Sequence, residues 1–162
     1  MKLEIERKFL LKAMPDIEPV EIIKIEQWYW KNHKGIWERA RLCNSSIEGE
    51  YYVHTIKKSI SKGVNMEDEK FLTKEEYESF IKVCKDKNEE SKFISKDRWV
   101  YPDGDLKWEV DMFNNGHHLI VAEIEIPKKS FKVNIPSFIK DKLLMEVTEF
   151  KQFSNRNLSN KI

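Results

Sequence analysis

Cysteine is scarce in this chain. Cys43 and Cys84 are its only two, far apart and outside any CxxC pattern, which excludes a disulfide framework and a structural zinc site of the usual spacing and fits a reducing compartment. Long apolar runs are missing too: no stretch approaches the ~20 residues of a membrane span. The opening residues MKLEIERKFL carry charge where a secretory leader is apolar. The expectation is a soluble cytoplasmic protein with no membrane partner. An excess of one charge is also lacking, since Lys plus Arg (29) nearly balances Asp plus Glu (28) for a net +1. Binding to nucleic acid by general electrostatics normally goes with a basic excess, so no nucleic-acid partner is expected.

What the chain has is turn punctuation between alternating, aromatic-rich segments. Asn32-His33-Lys34-Gly35, Glu48-Gly49, Ser61-Lys62-Gly63, Pro102-Asp103-Gly104 and Asn114-Asn115-Gly116 supply turn chemistry. Between them lie eight predicted strands, at 2–11, 22–31, 36–43, 50–59, 64–72, 92–101, 106–113 and 118–127. One segment breaks the pattern. Thr73 and Glu76 form a capping box and Tyr77, Phe80, Ile81 and Cys84 follow at helical spacing, which predicts a helix over 74–86. Lys82, Lys85 and Lys87 near its end complement the helix dipole. A second helix is expected around 136–144, with Phe138, Ile139 and Leu143 as its buried side, and the polar tail from Ser154 is expected to fray. At 162 residues the chain makes one domain. The expected fold is mainly β: an eight-stranded antiparallel sheet closed into a barrel with a few flanking helices, closure removing the unpaired edges of an open sheet.

Six of the strands carry like charges two positions apart: Glu4/Glu6, Arg39/Arg41, Glu67/Glu69, Lys96/Arg98, Glu109/Asp111 and Glu123/Glu125. Side chains at i and i+2 share a face and sit about 6.5 to 7 Å apart. A single such pair is usually the solvated face of an amphipathic strand. Six such pairs on six of eight strands, with Lys8 and Lys57 extending the basic lanes, imply a charged interior, while Ile5, Phe9, Val110, Ile124 and Ile126 on the alternate positions pack outside. A barrel so inverted holds water, ions and a ligand.

The chemistry of those lanes is narrow. Clustered carboxylates without spaced His or Cys are hard oxygen donors for Mg²⁺ or Mn²⁺. Arginine grips phosphate oxygens with two donors while lysine acts as a mobile point charge, so Arg39, Arg41 and Arg98 orient and Lys8, Lys57 and Lys96 neutralise. Six cations exceed the need of one phosphate and suit a linear triphosphate, with its about four to five negative charges. Other chemistries fit worse. His33 and His117-His118 fall in or beside turns, and Ser61-Lys62-Gly63 lacks the spacing of a P-loop. Core packing accounts for the tryptophans at 28, 30, 37, 99 and 108 better than base stacking does.

These residues resemble the CYTH domain, the triphosphate tunnel metalloenzymes. The likeness is specific at Glu4-Ile5-Glu6-Arg7-Lys8, an ExExK signature followed by Phe9-Leu10. It continues through Gln27-x-Tyr29, Arg39-x-Arg41, Thr55-Ile56-Lys57, Glu67-x-Glu69, Lys96-x-Arg98, Glu109-x-Asp111, Ala122-Glu123-Ile124-Glu125, Glu146-Val147-Thr148 and Phe153-Ser154-Asn155. Asn65 stands where members often have arginine, and Glu146 where the C-terminal motif usually has aspartate.

The resemblance implies an eight-stranded tunnel holding one or two divalent cations and a triphosphate. Carried over by position, Glu4, Glu6, Glu109, Asp111, Glu123 and Glu125 are metal ligands, directly or through water, with Glu67 and Glu69 as possible additions. Lys8, Arg39, Arg41, Lys57, Lys96 and Arg98 contact the triphosphate. Glu123, Glu125 and Lys8 form the expected catalytic set, a metal-activated water being the nucleophile. The implied activity is hydrolysis of inorganic triphosphate, or of a related organic or nucleoside triphosphate, by a monomer or homodimer. The alternatives are a class IV-type adenylyl cyclase and a noncatalytic polyphosphate- or nucleotide-binding module. A tunnel open at both ends would admit several substrates.

Overall fold

The computed structural model describes residues 1–86, 90–114, 116 and 118–161; Lys87, Asn115 and His117, named above, lie outside them. Eight strands, β1 (Lys2–Leu11), β2 (Glu21–Lys31), β3 (Trp37–Ser45), β4 (Gly49–Ser61), β5 (Val64–Leu72), β6 (Lys92–Asp103), β7 (Leu106–Phe113) and β8 (Ile120–Glu125), pair antiparallel in the ring β6-β2-β3-β4-β5-β1-β8-β7. Pairing of β6 with β7, from Lys96 opposite Phe113 to Asp103 opposite Leu106, closes it. Every predicted strand is present, the ends differing by a few residues.

Alternation sorts the side chains as the charge pattern implied. Phe9, Val110, Ile124 and Ile126 are buried outside the barrel with Trp108, Tyr101 and Ile139, and Ile5 packs against them. Helix α1 (Lys74–Asp86) covers another part of the outer wall, burying Tyr77 and Cys84 against Trp30, Ala40 and Leu72. It starts where the capping box predicts. The Glu76 amide donates to Thr73 Oγ1 at 3.1 Å and the Thr73 amide to Glu76 Oε1 at 3.0 Å, satisfying two amides that the helix cannot pair internally. The tryptophans are packing residues, Trp30 and Trp108 being buried and Trp28, Trp37 and Trp99 partly so.

Two expectations fail in the last quarter. The helix expected over 136–144 is one turn, α2 (Ser137–Lys140), followed by strand β9 (Leu143–Glu146). The upper half of β1 has no partner in β5, and an unpaired edge beside an apolar segment favours a strand: Phe9 pairs with Glu146 and Leu10 with Met145. Nor does the described part of the tail fray. A 3₁₀ turn (Lys151–Phe153), helix α3 (Asn155–Leu158) and the short β10 (Asn160–Lys161) pack onto the barrel. Ser154 caps α3 by accepting from the Asn157 amide, and β10 pairs with β6. Leu158 then joins Tyr29, Ile94, Phe113 and Val121 in a buried apolar cluster. That cluster packs the interior at one end. Among the described residues no helix is long and apolar enough to cross a membrane.

Candidate active site

Neighbouring strands bring the predicted charges face to face inside the ring. Lys8 stands opposite Glu123 and Glu6 opposite Glu125; Glu109 stands opposite Glu123, Arg98 opposite Asp111 and Lys57 opposite Glu67. The order of the ring then separates the signs. Acidic side chains of β5, β1, β8 and β7 form one run of the ring and basic ones of β6, β3 and β4 the other, with Lys8 on β1 the exception.

These groups pair with each other. Lys8 Nζ lies 3.2 Å from Glu123 and Lys57 Nζ 2.8 Å from Glu4 and 3.6 Å from Glu67. Arg98 is the most constrained, donating to both oxygens of Asp111 at 2.8 and 2.9 Å and to Glu109 at 3.1 Å. Lys96, 0% exposed, reaches Asp111 at 2.7 Å. Arg39 donates to Thr55 Oγ1 at 3.1 Å and lies 3.9 Å from Glu69, and Arg41 donates to Gln27 Oε1. Among the described residues the buried Nε donors of Arg39 and Arg41 have no hydrogen-bond partner.

Burial and crowding shift the site's ionisation. Burial, aided by Glu123, pushes the Glu6 carboxyl up to about 7, and burial with Glu4 does the same for Glu67, up to about 7. Glu125 is also raised, by burial and then by Glu4. Burial would raise Glu4, but Lys57 outweighs it and leaves that carboxyl below its ordinary value. Burial opposes the charge of Glu123 as well, and Lys8 overcomes it, bringing Glu123 down to about 2. On the basic side, burial and the charges of Arg39 and Arg98 bring Arg41 down to about 10. Burial likewise brings Lys96 down to about 7, Arg98 and Arg41 adding to it, although Asp111 pulls the other way.

All the predicted site residues therefore lie on the inner face, but not in equivalent roles. Asp111 is buried with both oxygens engaged by Arg98 and Lys96, whereas Glu125 and Glu69 stand toward solvent. No three His, Cys, Asp or Glu side chains among the described residues are already gathered as a metal-holding group.

Several neutral members of the site carried no role in the sequence. Gln27, fully buried, accepts from Arg41 and donates to the Tyr29 hydroxyl at 3.3 Å. Its signal was one amide in an otherwise apolar lane, Ile23, Ile25, Gln27, Tyr29. Asn155 Oδ1 accepts from Lys96 Nζ at 3.0 Å and the Phe153 carbonyl from Lys8 Nζ at 3.5 Å, so the packed tail touches two of the six cations. Asn65 donates to Glu4 at 3.3 Å.

Strand β9 and the segment after it also fix β1. Arg7 forms a two-pronged pair with Glu146 at 2.9 and 2.7 Å. Thr148 Oγ1 donates to Glu146 at 2.7 Å and accepts from the Lys8 amide at 2.9 Å. Glutamate at 146 thus holds Arg7 where members of the resembled family usually have aspartate.

No family model matches the chain, and no curated protein matches it. Solved structures do. The inorganic triphosphatase NE1496 is 25% identical over 100% of this chain and 97% of its own, with a TM-score of 0.59. A conserved hypothetical protein from Pyrococcus furiosus is 22% identical over 85% of this chain and 84% of its own, TM-score 0.55. A Hippeastrum protein that goes under the name of an adenylyl cyclase, and has a dominant triphosphatase activity, is 16% identical over 77% and 80%, TM-score 0.53. The last two likenesses speak for the fold alone. The closed eight-strand barrel and its likeness to NE1496 are consistent with a CYTH domain.

Proposed function

We propose that the protein is a divalent-metal-dependent triphosphatase, splitting inorganic triphosphate or a related organic triphosphate into a diphosphate and phosphate. The observation that carries this reading is the pair of buried, unpartnered guanidinium donors on Arg39 and Arg41. Buried donors normally find a partner, and leaving one unmade costs about 1–3 kcal/mol. Phosphate oxygens supply acceptors of the right charge, and the crowding that lowers Arg41 says the same in electrostatic terms.

The donor set fits Mg²⁺ or Mn²⁺. Glu6 and Glu67 are held near protonation by burial and neighbouring carboxylates, the situation a hard cation relieves. Glu4, Glu6, Glu109, Glu123 and Glu125 would hold one or two ions, with Asp111 behind them and Glu67 and Glu69 as further donors. Bound there, such an ion offsets phosphate charge and lowers the pKa of water.

The chain's own cations do the positioning. Arg39, Arg41 and Arg98 orient the phosphates through paired donors, and Lys8, Lys57 and Lys96 neutralise them. Arg98 keeps its aim because Asp111 holds two of its nitrogens. Water adds to the terminal phosphorus, the bridging P–O bond breaks, and diphosphate, phosphate and a proton are the products. No side-chain nucleophile is needed. The neighbour NE1496, an inorganic triphosphatase, supports this reading.

The test is phosphate release from inorganic triphosphate with Mg²⁺ or Mn²⁺, with ATP in parallel assayed for cyclic AMP. Release that a chelator abolishes is expected. Cyclic AMP without phosphate release would assign a cyclase instead, and tight binding without product a binding module.

A further inference from the structure

The near-balance of charge in the chain hides a separation from one end of the barrel to the other. Lys31 stands opposite Trp37 and Glu38 opposite Ile56, so the β2–β3 and β4–β5 turns lie at one end, the end packed by Leu158 and its neighbours. These turns and the strand ends beside them carry Lys34, Lys58 and Lys62, all exposed. Next to them three cations crowd one indole: Arg156 lies 4.9 Å, Lys31 5.4 Å and Lys92 5.9 Å from the centroid of the Trp37 ring. Burial and then the charges of Arg156 and Lys161 hold the Lys92 amine below its ordinary value. Among the described residues only Glu90, 3.0 Å from Lys31, and Glu149, 3.9 Å from Lys62, form ion pairs with these cations. The turns at the opposite end, β3–β4 and β6–β7, carry Glu48, Asp103 and Asp105 instead. Two large apolar side chains stand among the cations, Ile60 at 57% and Phe150 at 43% exposed; Phe150 directly follows Glu149, the partner of Lys62.

We propose that this basic end of the barrel is a docking surface for an anionic lipid bilayer, its lysines and Arg156 set against the headgroups and Ile60 and Phe150 between them. Docking of this kind does not depend on the triphosphate chemistry inside. Each basic residue held near an anionic lipid surface contributes about 1 kcal/mol, and apolar side chains rimmed by cations suit the boundary between headgroups and hydrocarbon. An acidic polypeptide would answer the charge but not the exposed apolar tips. A nucleic acid gains little from an exposed isoleucine, and the Trp37 face on which a base could stack is taken by cations. So docked, the barrel turns its other end, with Glu69 and Glu125, toward water. That no described helix is long and apolar enough to cross a membrane has no bearing on contact at its surface.

Sedimentation of the full chain with phosphatidylcholine vesicles, made with or without about 30% phosphatidylserine, reads the partition onto an anionic surface. Binding to the anionic vesicles alone is expected, weakening as salt rises from about 0.1 M to about 0.5 M because the charges are screened. Lys58→Glu/Lys62→Glu is expected to weaken it at least about thirtyfold, about fivefold for each cation lost. Ile60→Ser removes apolar burial and should weaken it about threefold or more. Lys24→Glu/Lys70→Glu makes the same change in net charge on the strand halves toward the acidic end, and should bind within about threefold of wild type because charge that far from the lipid is screened. All four lysines are exposed, so melting temperatures exclude misfolding of the variants. Equal partition onto neutral and anionic vesicles, equal loss in the two double variants, or wild-type binding by Ile60→Ser overturns the surface. Binding of poly-glutamate or single-stranded RNA without binding of vesicles also overturns it, and would name an acidic chain as the partner.

Discussion

Arg98 holds Asp111 by two parallel hydrogen bonds, Nε to Oδ1 at 2.8 Å and Nη2 to Oδ2 at 2.9 Å, with both side chains buried inside the barrel. Lys96 closes on the same carboxylate. Removing that single anion leaves two buried cations facing Arg41, and uncompensated buried charge costs about 3–5 kcal/mol. Asp111→Ala is therefore expected to lose stability in that range by urea unfolding. A loss under about 1 kcal/mol, the scale of an exposed pair, would mean the carboxylate is not the anchor described.

Arg41 should behave in the opposite way. Burial, Arg39 and Arg98 all disfavour its charge, so Arg41→Gln, which keeps a donor for Gln27, is expected to melt no lower than wild type without ligand. The rise in melting temperature on adding inorganic triphosphate should fall by more than half, since stabilisation by a ligand follows its affinity. A variant that melts lower yet responds normally to triphosphate would contradict the crowding argument.

The raised carboxyls set a pH dependence. Glu6 titrates near 7 in the folded barrel against an ordinary value of 4.5, so the folded state binds more protons than the unfolded one between those values. The Glu6 contribution to stability is full below about pH 4.5 and is lost as pH rises through 7, by about 3 kcal/mol at most, partly offset above pH 7 by Lys96, whose lowered value acts in the opposite sense. Glu67 adds a smaller share, being more exposed. Urea unfolding at pH 5 and pH 8 should show the fall. Glu6→Gln should flatten it, and so should Mg²⁺ at the higher pH.

Gly63 ties turn to site. Its φ is +74°, and a Cβ there would lie 2.7 Å from the Glu6 carbonyl oxygen and 2.9 Å from Thr148 Cγ2. Its own carbonyl accepts from the Glu6 amide at 2.8 Å. Gly63→Ala therefore combines left-handed strain, about 1–2 kcal/mol, with a clash against backbone. The expected result is a melting point several degrees lower together with loss of turnover, because Glu6 must shift. Gly35→Ala, with nothing within 4 Å of its Cβ, is the control: strain alone, activity retained.

Much of this was legible in the chain, for a reason particular to it. Charges of one sign at i and i+2 are visible only because the strands alternate, and in an inverted barrel the alternation carries the site itself. The capping box at Thr73 and Glu76 likewise located α1 to the residue. Neutral partners were harder to read. Gln27 and Thr55 matter through what they hold in place, and Asn155 and the Phe153 carbonyl reach Lys96 and Lys8 only because Leu158 finds an apolar cluster at the end of the barrel. That cluster forms from five separate segments of chain, so neither the closed end nor β9, which answers an unpaired edge of β1, has a local signature.

The central claim is that the six inner cations hold one triphosphate. Its most direct test is calorimetric titration of inorganic triphosphate into wild-type protein and into an Arg39→Ala/Arg41→Ala double variant. The account predicts one ligand per chain for the wild type and at least a hundredfold weaker binding for the double variant, about 2.7 kcal/mol for two guanidinium groups. Absence of wild-type binding, or equal binding by both proteins, would contradict it.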